Sequence, residues 1–108
     1  MMIETESTHI IYRIWNLKTR KFYIGRTKQK LNQRWNGHTR QNNHCRYLYN
    51  SIQKYGKHCF EIKEIDKTNS LIHAKILETF YIKYYQSHKD QYGYNLVIEN
   101  PDGYEFIS

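Results

Sequence analysis

Apolar and polar residues alternate in two neighbouring segments near the start of the chain. The first spans His9–Asn16 and the second spans Lys21–Thr27, and the polar stretch between them suits a hairpin turn. With the turn centred on Leu17–Lys18, Tyr12 in the first strand faces Tyr23 in the second. The pattern therefore predicts a β-hairpin with both phenols on one face of the sheet.

Longer apolar periods and turn residues predict the rest of the secondary structure. Helices are expected over residues 31–41 and 46–55, and residues 58–66 alternate as a third strand. The longest helix, over residues 71–86, is apolar around most of its circumference, so we expect it in the core. The sequence NPDG at residues 100–103 predicts a terminal hairpin.

Hydropathy and length narrow the class of protein. The chain has 108 residues, which fits one domain, and its mean hydropathy is -0.91. No apolar run approaches the ~20 residues that cross a bilayer, and the start lacks a secretory signal pattern. We therefore expect an intracellular, soluble protein without a membrane partner, in which Cys45 and Cys59 remain reduced thiols.

The positive charge is concentrated in one part of the chain. Between Ser7 and Phe60 there are twelve Lys or Arg residues and no Asp or Glu. A surface free of carboxylates attracts phosphates, so this distribution favours a nucleic-acid partner over a basic face that only maintains solubility. The residues expected to contact nucleic acid are Arg13, Arg26, Lys28, Arg40, His44 and Arg46.

Two further groups of residues could carry chemistry. Arg34 and His38 are four positions apart on a predicted helix and share a face, which adds a cation and an imidazole to the two phenols. Glu78 lies among apolar residues of the longest helix, where a carboxylate needs compensation by a divalent metal or by a basic side chain from the N-terminal half. Considered one at a time, each of these residues could instead have a purely structural role.

A repeated His-Cys pair raises a different alternative. The pairs are His44–Cys45 and His58–Cys59. Structural zinc sites separate the two ligands of each pair by a short gap that these pairs lack, so a zinc site is disfavoured.

Read in order, these residues resemble the motifs of the GIY-YIG nuclease superfamily. The matching positions are Tyr12 in IIY, Tyr23 in YIG, Arg34 and His38 in RWNGH, Glu78 in ETFYIK and Asn95 in GYN. The resemblance implies an α+β fold in which helices flank a small three-stranded antiparallel sheet. It implies a leader over residues 1–8, a catalytic domain over 9–97 and a C-terminal extension over 98–108 that forms part of a hairpin.

The sequence departs from the superfamily pattern at two positions. Ile10 stands where the first motif opens with glycine. Arg26 follows the YIG motif, where a small polar residue is common. Neither departure removes a catalytic group, and Arg26 could add a phosphate contact.

The resemblance also implies a reaction, namely hydrolysis of DNA phosphodiester bonds with Mg²⁺ or Mn²⁺. Glu78 would hold the ion and Arg34 would neutralise charge on the phosphate. Tyr12 would orient or deprotonate the attacking water, with His38 as the acceptor of the phenolic proton. Tyr23 would help to position this group. Asn95 would fix the region around Glu78 without taking part in the chemistry.

The substrate and partners follow from the same resemblance. DNA is the expected substrate, and a homodimer or a separate partner would supply double-strand cleavage or specificity. Mobile-element and viral roles are both compatible with such a nuclease. The alternative is a non-catalytic nucleic-acid-binding module with the same fold, and the residues do not exclude RNA as the substrate.

Overall fold

The computed structural model describes residues 8–40, 45–100 and 103–107, with side chains through residue 95. Most of the predicted leader, His44 and the centre of the NPDG turn lie outside the described residues. Among the helices in the described ranges, none is long and apolar enough to span a membrane.

The described segments form a three-stranded sheet, three helices and a separate hairpin. The element bounds are β1 His9–Asn16, β2 Phe22–Thr27, α1 Leu31–His38, α2 Arg46–Tyr55, a 3₁₀ turn Lys57–Cys59, β3 Phe60–Thr68, α3 Leu71–Tyr85, β4 Leu96–Asn100 and β5 Gly103–Ile107. The sheet order is β2-β1-β3 and both pairings are antiparallel, while β4 and β5 pair only with each other. The predicted α+β class, the three-stranded sheet and the terminal hairpin are confirmed.

The register of the first hairpin differs from the prediction by two residues. Tyr12 pairs with Gly25, and Tyr23 pairs with Ile14. The cause lies in the turn, where the side-chain oxygen of Asn16 accepts hydrogen bonds from two following backbone amides and Arg20 adopts φ 64°. A shift of two preserves side-chain alternation, so both phenols remain on the same face, as predicted.

Helices cover both faces of the sheet. On one face Tyr12, Ile14 and Tyr23 pack with residues of α2, of which Leu48 and Ile52 are fully buried. The opposite face carries a second apolar cluster, formed by Ile11, Ile24, Ala74 and Ile82, which joins the sheet to α3. The two clusters hold α1 and α3 on opposite sides of β1 and β2, so residues from both helices can approach the same strands.

One surface of α3 contradicts the prediction of a core helix. Ala74, Glu78 and Ile82 are buried, as a helix packed on the sheet requires. The opposite stripe is exposed although it is apolar, and its members are Ile72, Ile76, Phe80 and Tyr84, with exposed fractions of 71%, 60%, 55% and 68%. The composition of the helix showed how many apolar residues it has, but not how many of them the small sheet can cover.

Candidate active site

Tyr12 occupies a position that only glycine opposite it permits. The phenol lies over Gly25 of β2, and a Cβ atom built at Gly25 would overlap the hydroxyl oxygen and the adjacent ring carbon of Tyr12. The observed register produces this contact, because it pairs the two residues directly. The glycine of the YIG segment therefore provides the space in which the Tyr12 ring rests.

A hydrogen bond joins this phenol to α1. The hydroxyl oxygen of Tyr12 lies 2.7 Å from Nε2 of His38, and both side chains are buried. His38 is the last residue of α1, which ends three residues earlier than predicted. The ring of Tyr23 meets the His38 ring edge-on, with 5.0 Å between centroids. The Tyr23 ring thus packs against the imidazole and helps to keep it in contact with Tyr12.

Burial determines the protonation of both phenols. It raises the pKa of Tyr12 well above its usual value near 10, and the nearby positive charge of Arg34 opposes this effect only in part. Burial likewise raises the pKa of Tyr23 well above 10. In the described residues, the Tyr23 hydroxyl has no hydrogen-bond partner. Both tyrosines therefore carry their protons at neutral pH.

Arg34 and Glu78 complete the surroundings of Tyr12. The positive charge of Arg34 lowers the pKa of the phenol, and the negative charge of Glu78 raises it, so both groups lie within electrostatic reach of Tyr12. Arg34 comes from α1 and Glu78 from α3, so two different helices each contribute a charged side chain near Tyr12. The structure places Tyr12, Tyr23, Arg34, His38 and Glu78 in one region.

Glu78 also pairs with a residue that was predicted to contact nucleic acid. Nε of Arg26 donates to Oε1 of Glu78 over 3.2 Å, and the two side chains are 32% and 8% exposed. Compensation by a basic side chain from the N-terminal half was one of the two alternatives for this carboxylate. The ion pair with Arg26 is such a compensation.

The donor chemistry of Glu78 suits one hard divalent cation. Mg²⁺ is commonly held by one or two carboxylates, with water and substrate phosphates completing the octahedron. Within residues 8–40, 45–100 and 103–107, no group of three or more His, Cys, Asp and Glu side chains converges. Glu78 therefore fits an ion that also binds the substrate phosphate, and the described residues form no cluster of structural zinc type.

Asn95 acts on β2 through hydrogen bonds to its backbone. Its Oδ1 accepts from the Ile24 amide at 2.9 Å and from the Ser87 hydroxyl at 2.6 Å, and its Nδ2 donates to the Ile24 carbonyl at 2.8 Å. Ile24 separates Tyr23 from Gly25, so Asn95 fixes the YIG segment and ties it to the loop after α3. These bonds attach Asn95 to the strand that carries Arg26, the ion-pair partner of Glu78. That Asn95 fixes the region around Glu78 stays a prediction.

Five of the six residues predicted to contact nucleic acid are described, and they lie in three different settings. Arg13 is on the sheet face opposite Tyr12, where its guanidinium lies 5.9 Å from the Trp15 ring centroid and 5.7 Å from that of Phe22. The structure does not bring Arg13 to the site. Arg26 is paired with Glu78, and His44 is outside the described residues. The exposed members are Lys28, Arg40 and Arg46.

Comparisons with known proteins agree with this geometry. The family model of the GIY-YIG catalytic domain matches residues 8–95. A solved structure described as the catalytic domain of intron endonuclease I-TevI, a Glu-to-Ala mutant, aligns at 25% identity with TM-score 0.67, over 82% of this chain and 92% of that chain. A second, described as the catalytic domain of homing endonuclease I-TevI, aligns at 24% identity with TM-score 0.67, over 80% and 95%. Curated protein sequences give no significant match.

Proposed function

Because the chain belongs to the GIY-YIG catalytic domain family and is thereby a nuclease, we propose that it hydrolyses phosphodiester bonds of DNA at the site around Tyr12. The observation that carries this proposal is the hydrogen bond of 2.7 Å between Tyr12 and His38, with the charges of Arg34 and Glu78 within electrostatic reach of the phenol. A nucleophile-activating pair, a cation for the phosphate and a metal-binding carboxylate are the groups that this hydrolysis requires.

The raised pKa of Tyr12 defines its role in water activation. A phenol that keeps its proton cannot act alone as a base near neutral pH. The hydroxyl oxygen of Tyr12 takes a proton from water while the phenolic proton passes to Nε2 of His38. The water oxygen then attacks phosphorus while the bond from phosphorus to the leaving deoxyribose oxygen breaks, and that oxygen takes a proton from solvent. Tyrosinate does not accumulate in the buried site. His38 is therefore the terminal proton acceptor, and Tyr12 is the group that touches the water.

Arg34 and Glu78 supply the charge that this step requires. The Arg34 guanidinium, whose charge reaches the phenol, would neutralise the phosphoryl oxygens as they gain negative charge. Glu78 would hold Mg²⁺ or Mn²⁺, and the ion when bound would supply Lewis-acid stabilisation of the phosphate and of the leaving oxygen. Tyr23 and Asn95 position these groups without contacting substrate, since Tyr23 packs on His38 and Asn95 binds the backbone of Ile24.

Exposed cations in the N-terminal half of the chain support a nucleic-acid substrate. Lys28, Arg40 and Arg46 are exposed, and no Asp or Glu occurs between Ser7 and Phe60. One site of this kind cuts one strand, so the proposed primary product is a nick. A double-strand break would require two chains or two successive events.

Supercoiled plasmid tests the function and its alternative together. Incubation with Mg²⁺ or Mn²⁺ is expected to convert the plasmid to the open-circular form, and a chelator should abolish the conversion. Retarded DNA mobility without conversion under either metal would instead establish a binding module. A competition between labelled DNA and RNA duplexes identifies the substrate, and preferential cleavage of RNA would contradict the DNA assignment.

A further inference from the structure

The ion pair between Arg26 and Glu78 joins two elements that surround the site. Arg26 lies on β2 directly after Gly25, and Glu78 lies on the buried side of α3. Their closest atoms are 3.2 Å apart. The carboxylate is only 8% exposed, so the positive charge of Arg26 compensates much of the cost of removing it from water.

Arg26 occupies Oε1, one of the two carboxylate oxygens that a divalent cation could bind. A guanidinium at this distance both blocks Oε1 and repels a second positive charge beside the carboxylate. Cation binding at Glu78 is therefore weakened as long as Arg26 keeps this position. Its side chain is 32% exposed, in contrast to the carboxylate, so the guanidinium can turn toward solvent while Glu78 stays in place.

A backbone phosphate is the partner best suited to draw Arg26 away. Guanidinium groups bind phosphate through two parallel hydrogen bonds, and Lys28, exposed two positions further along, would attract the same phosphate backbone. The chain between Ser7 and Phe60 contains no Asp or Glu, so no carboxylate within that segment competes for Arg26.

We infer that Arg26 is a positioning residue that pairs with Glu78 in the DNA-free enzyme and moves to a DNA phosphate when substrate binds, which releases Glu78 for the divalent cation. The inference rests on the proposed function, in which Glu78 is the cation ligand. Two properties follow from the exchange. The DNA-free enzyme binds the cation weakly, and cation and DNA strengthen each other's binding by the same factor.

Titration of the DNA-free protein with Mn²⁺ by calorimetry tests the first property. Arg26→Gln is expected to bind Mn²⁺ about 3- to 10-fold more tightly than wild type, the range of a partly buried ion pair. Lys18→Gln removes one exposed positive charge from the β1–β2 turn and is expected to leave the affinity unchanged. In the Glu78→Gln background, Arg26→Gln should lose its effect.

DNA affinity tests the second property without any cleavage. Fluorescence anisotropy with a short DNA duplex, in a Tyr12→Phe background, gives the slope of log affinity against log salt with and without Mn²⁺. Because Arg26 moves to a phosphate when DNA binds, the slope should be steeper by about 1 with Arg26 present than in the Arg26→Gln protein, and Mn²⁺ should raise DNA affinity more with Arg26 present than in Arg26→Gln.

The outcomes separate this inference from the proposed function. Equal or weaker Mn²⁺ binding by Arg26→Gln, or equal salt slopes in the two proteins, would overturn the exchange even if wild type cleaves plasmid. A wild-type protein that leaves plasmid intact under both metals would overturn the function, whatever the calorimetry shows. Circular dichroism confirms that each variant is folded before its titration is interpreted.

Discussion

The hydroxyl oxygen of Tyr12 lies 2.7 Å from Nε2 of His38, and neither side chain is accessible to bulk water. Burial keeps the proton on the phenol, because it raises the pKa of Tyr12. In the tautomer in which Nε2 carries no proton, this hydrogen bond directs the phenolic proton at the imidazole. In the proposed reaction the pair passes a proton from water to imidazole without a free tyrosinate.

Replacing the phenol should separate chemistry from folding and binding. Tyr12→Phe is expected to lower plasmid nicking by about 100-fold or more, the usual contribution of a general acid–base group. DNA binding in a gel-shift assay should be retained, because the exposed cations are untouched. Tyr84→Phe removes a hydroxyl from a side chain that is 68% exposed and serves as the control. Undiminished nicking by Tyr12→Phe would reduce Tyr12 to a packing residue.

The pH dependence of stability should report the buried phenols. Their pKa values are raised in the folded protein, so the unfolded chain loses these protons first as the pH rises. The stability they contribute is fully present below about pH 10 and is lost above it, by ~1.4 kcal/mol per pH unit for each phenol. Urea unfolding between pH 8 and 11 should show a shallower loss for Tyr12→Phe than for Tyr84→Phe. Equal slopes would contradict the burial assignment.

The contact between Tyr12 and Gly25 predicts an effect of adding one methyl group. Gly25→Ala places a Cβ atom in the volume of the phenol, so the ring must move, at a cost of about 1–3 kcal/mol in the free energy of unfolding. Nicking should fall with it, since the displaced hydroxyl no longer meets His38. In a Tyr12→Ala background the added methyl should cost far less in chemical denaturation. An equal cost in both backgrounds would show that the strain arises elsewhere.

Asn95 should stabilise the strand that carries the YIG segment. Asn95→Asp keeps an oxygen for the Ile24 amide but loses the Nδ2 donor to the Ile24 carbonyl. A buried carbonyl left without its donor costs about 1–3 kcal/mol, so the melting temperature should fall. Asn50→Asp makes the same change at an exposed position of α2 and should leave the melting temperature nearly unchanged. Equal melting temperatures of wild type and Asn95→Asp would contradict the proposed stabilisation of this strand by Asn95.

Local sequence patterns predicted the shared face of the tyrosines but not their contacts. Alternation along β1 and β2 is a property of single strands, and it placed Tyr12 and Tyr23 on one side correctly. The register depends on the turn, where the Asn16 side chain and the left-handed backbone of Arg20 set the geometry. Because neighbouring side chains of a strand point to opposite faces of the sheet, Arg13 and Tyr12 lie on different faces. This rule alone would have excluded Arg13 from the predicted DNA-binding surface.

The remaining differences arise from contacts between distant segments. The ion pair of Arg26 and Glu78 joins residues 52 positions apart, and the charge of neither residue indicates its partner. The basic composition suggested a phosphate for Arg26, while the buried carboxylate suggested either a metal or a basic group. Burial on α3 depends on the width of the three-stranded sheet, which leaves Ile76 and Phe80 exposed. Family motifs predicted one site from these distant residues because they combine residues that local patterns cannot connect.

The proposed hydrolysis depends most directly on the carboxylate of Glu78. The decisive measurement is the rate of supercoiled plasmid nicking in Mg²⁺ by wild type, Glu78→Gln and Glu61→Gln. Glu61 is exposed on β3, so its substitution makes the same chemical change away from the site. We predict that wild type and Glu61→Gln nick at similar rates and that Glu78→Gln is slower by about 100-fold or more. Nicking by Glu78→Gln at the wild-type rate would contradict the proposed active site.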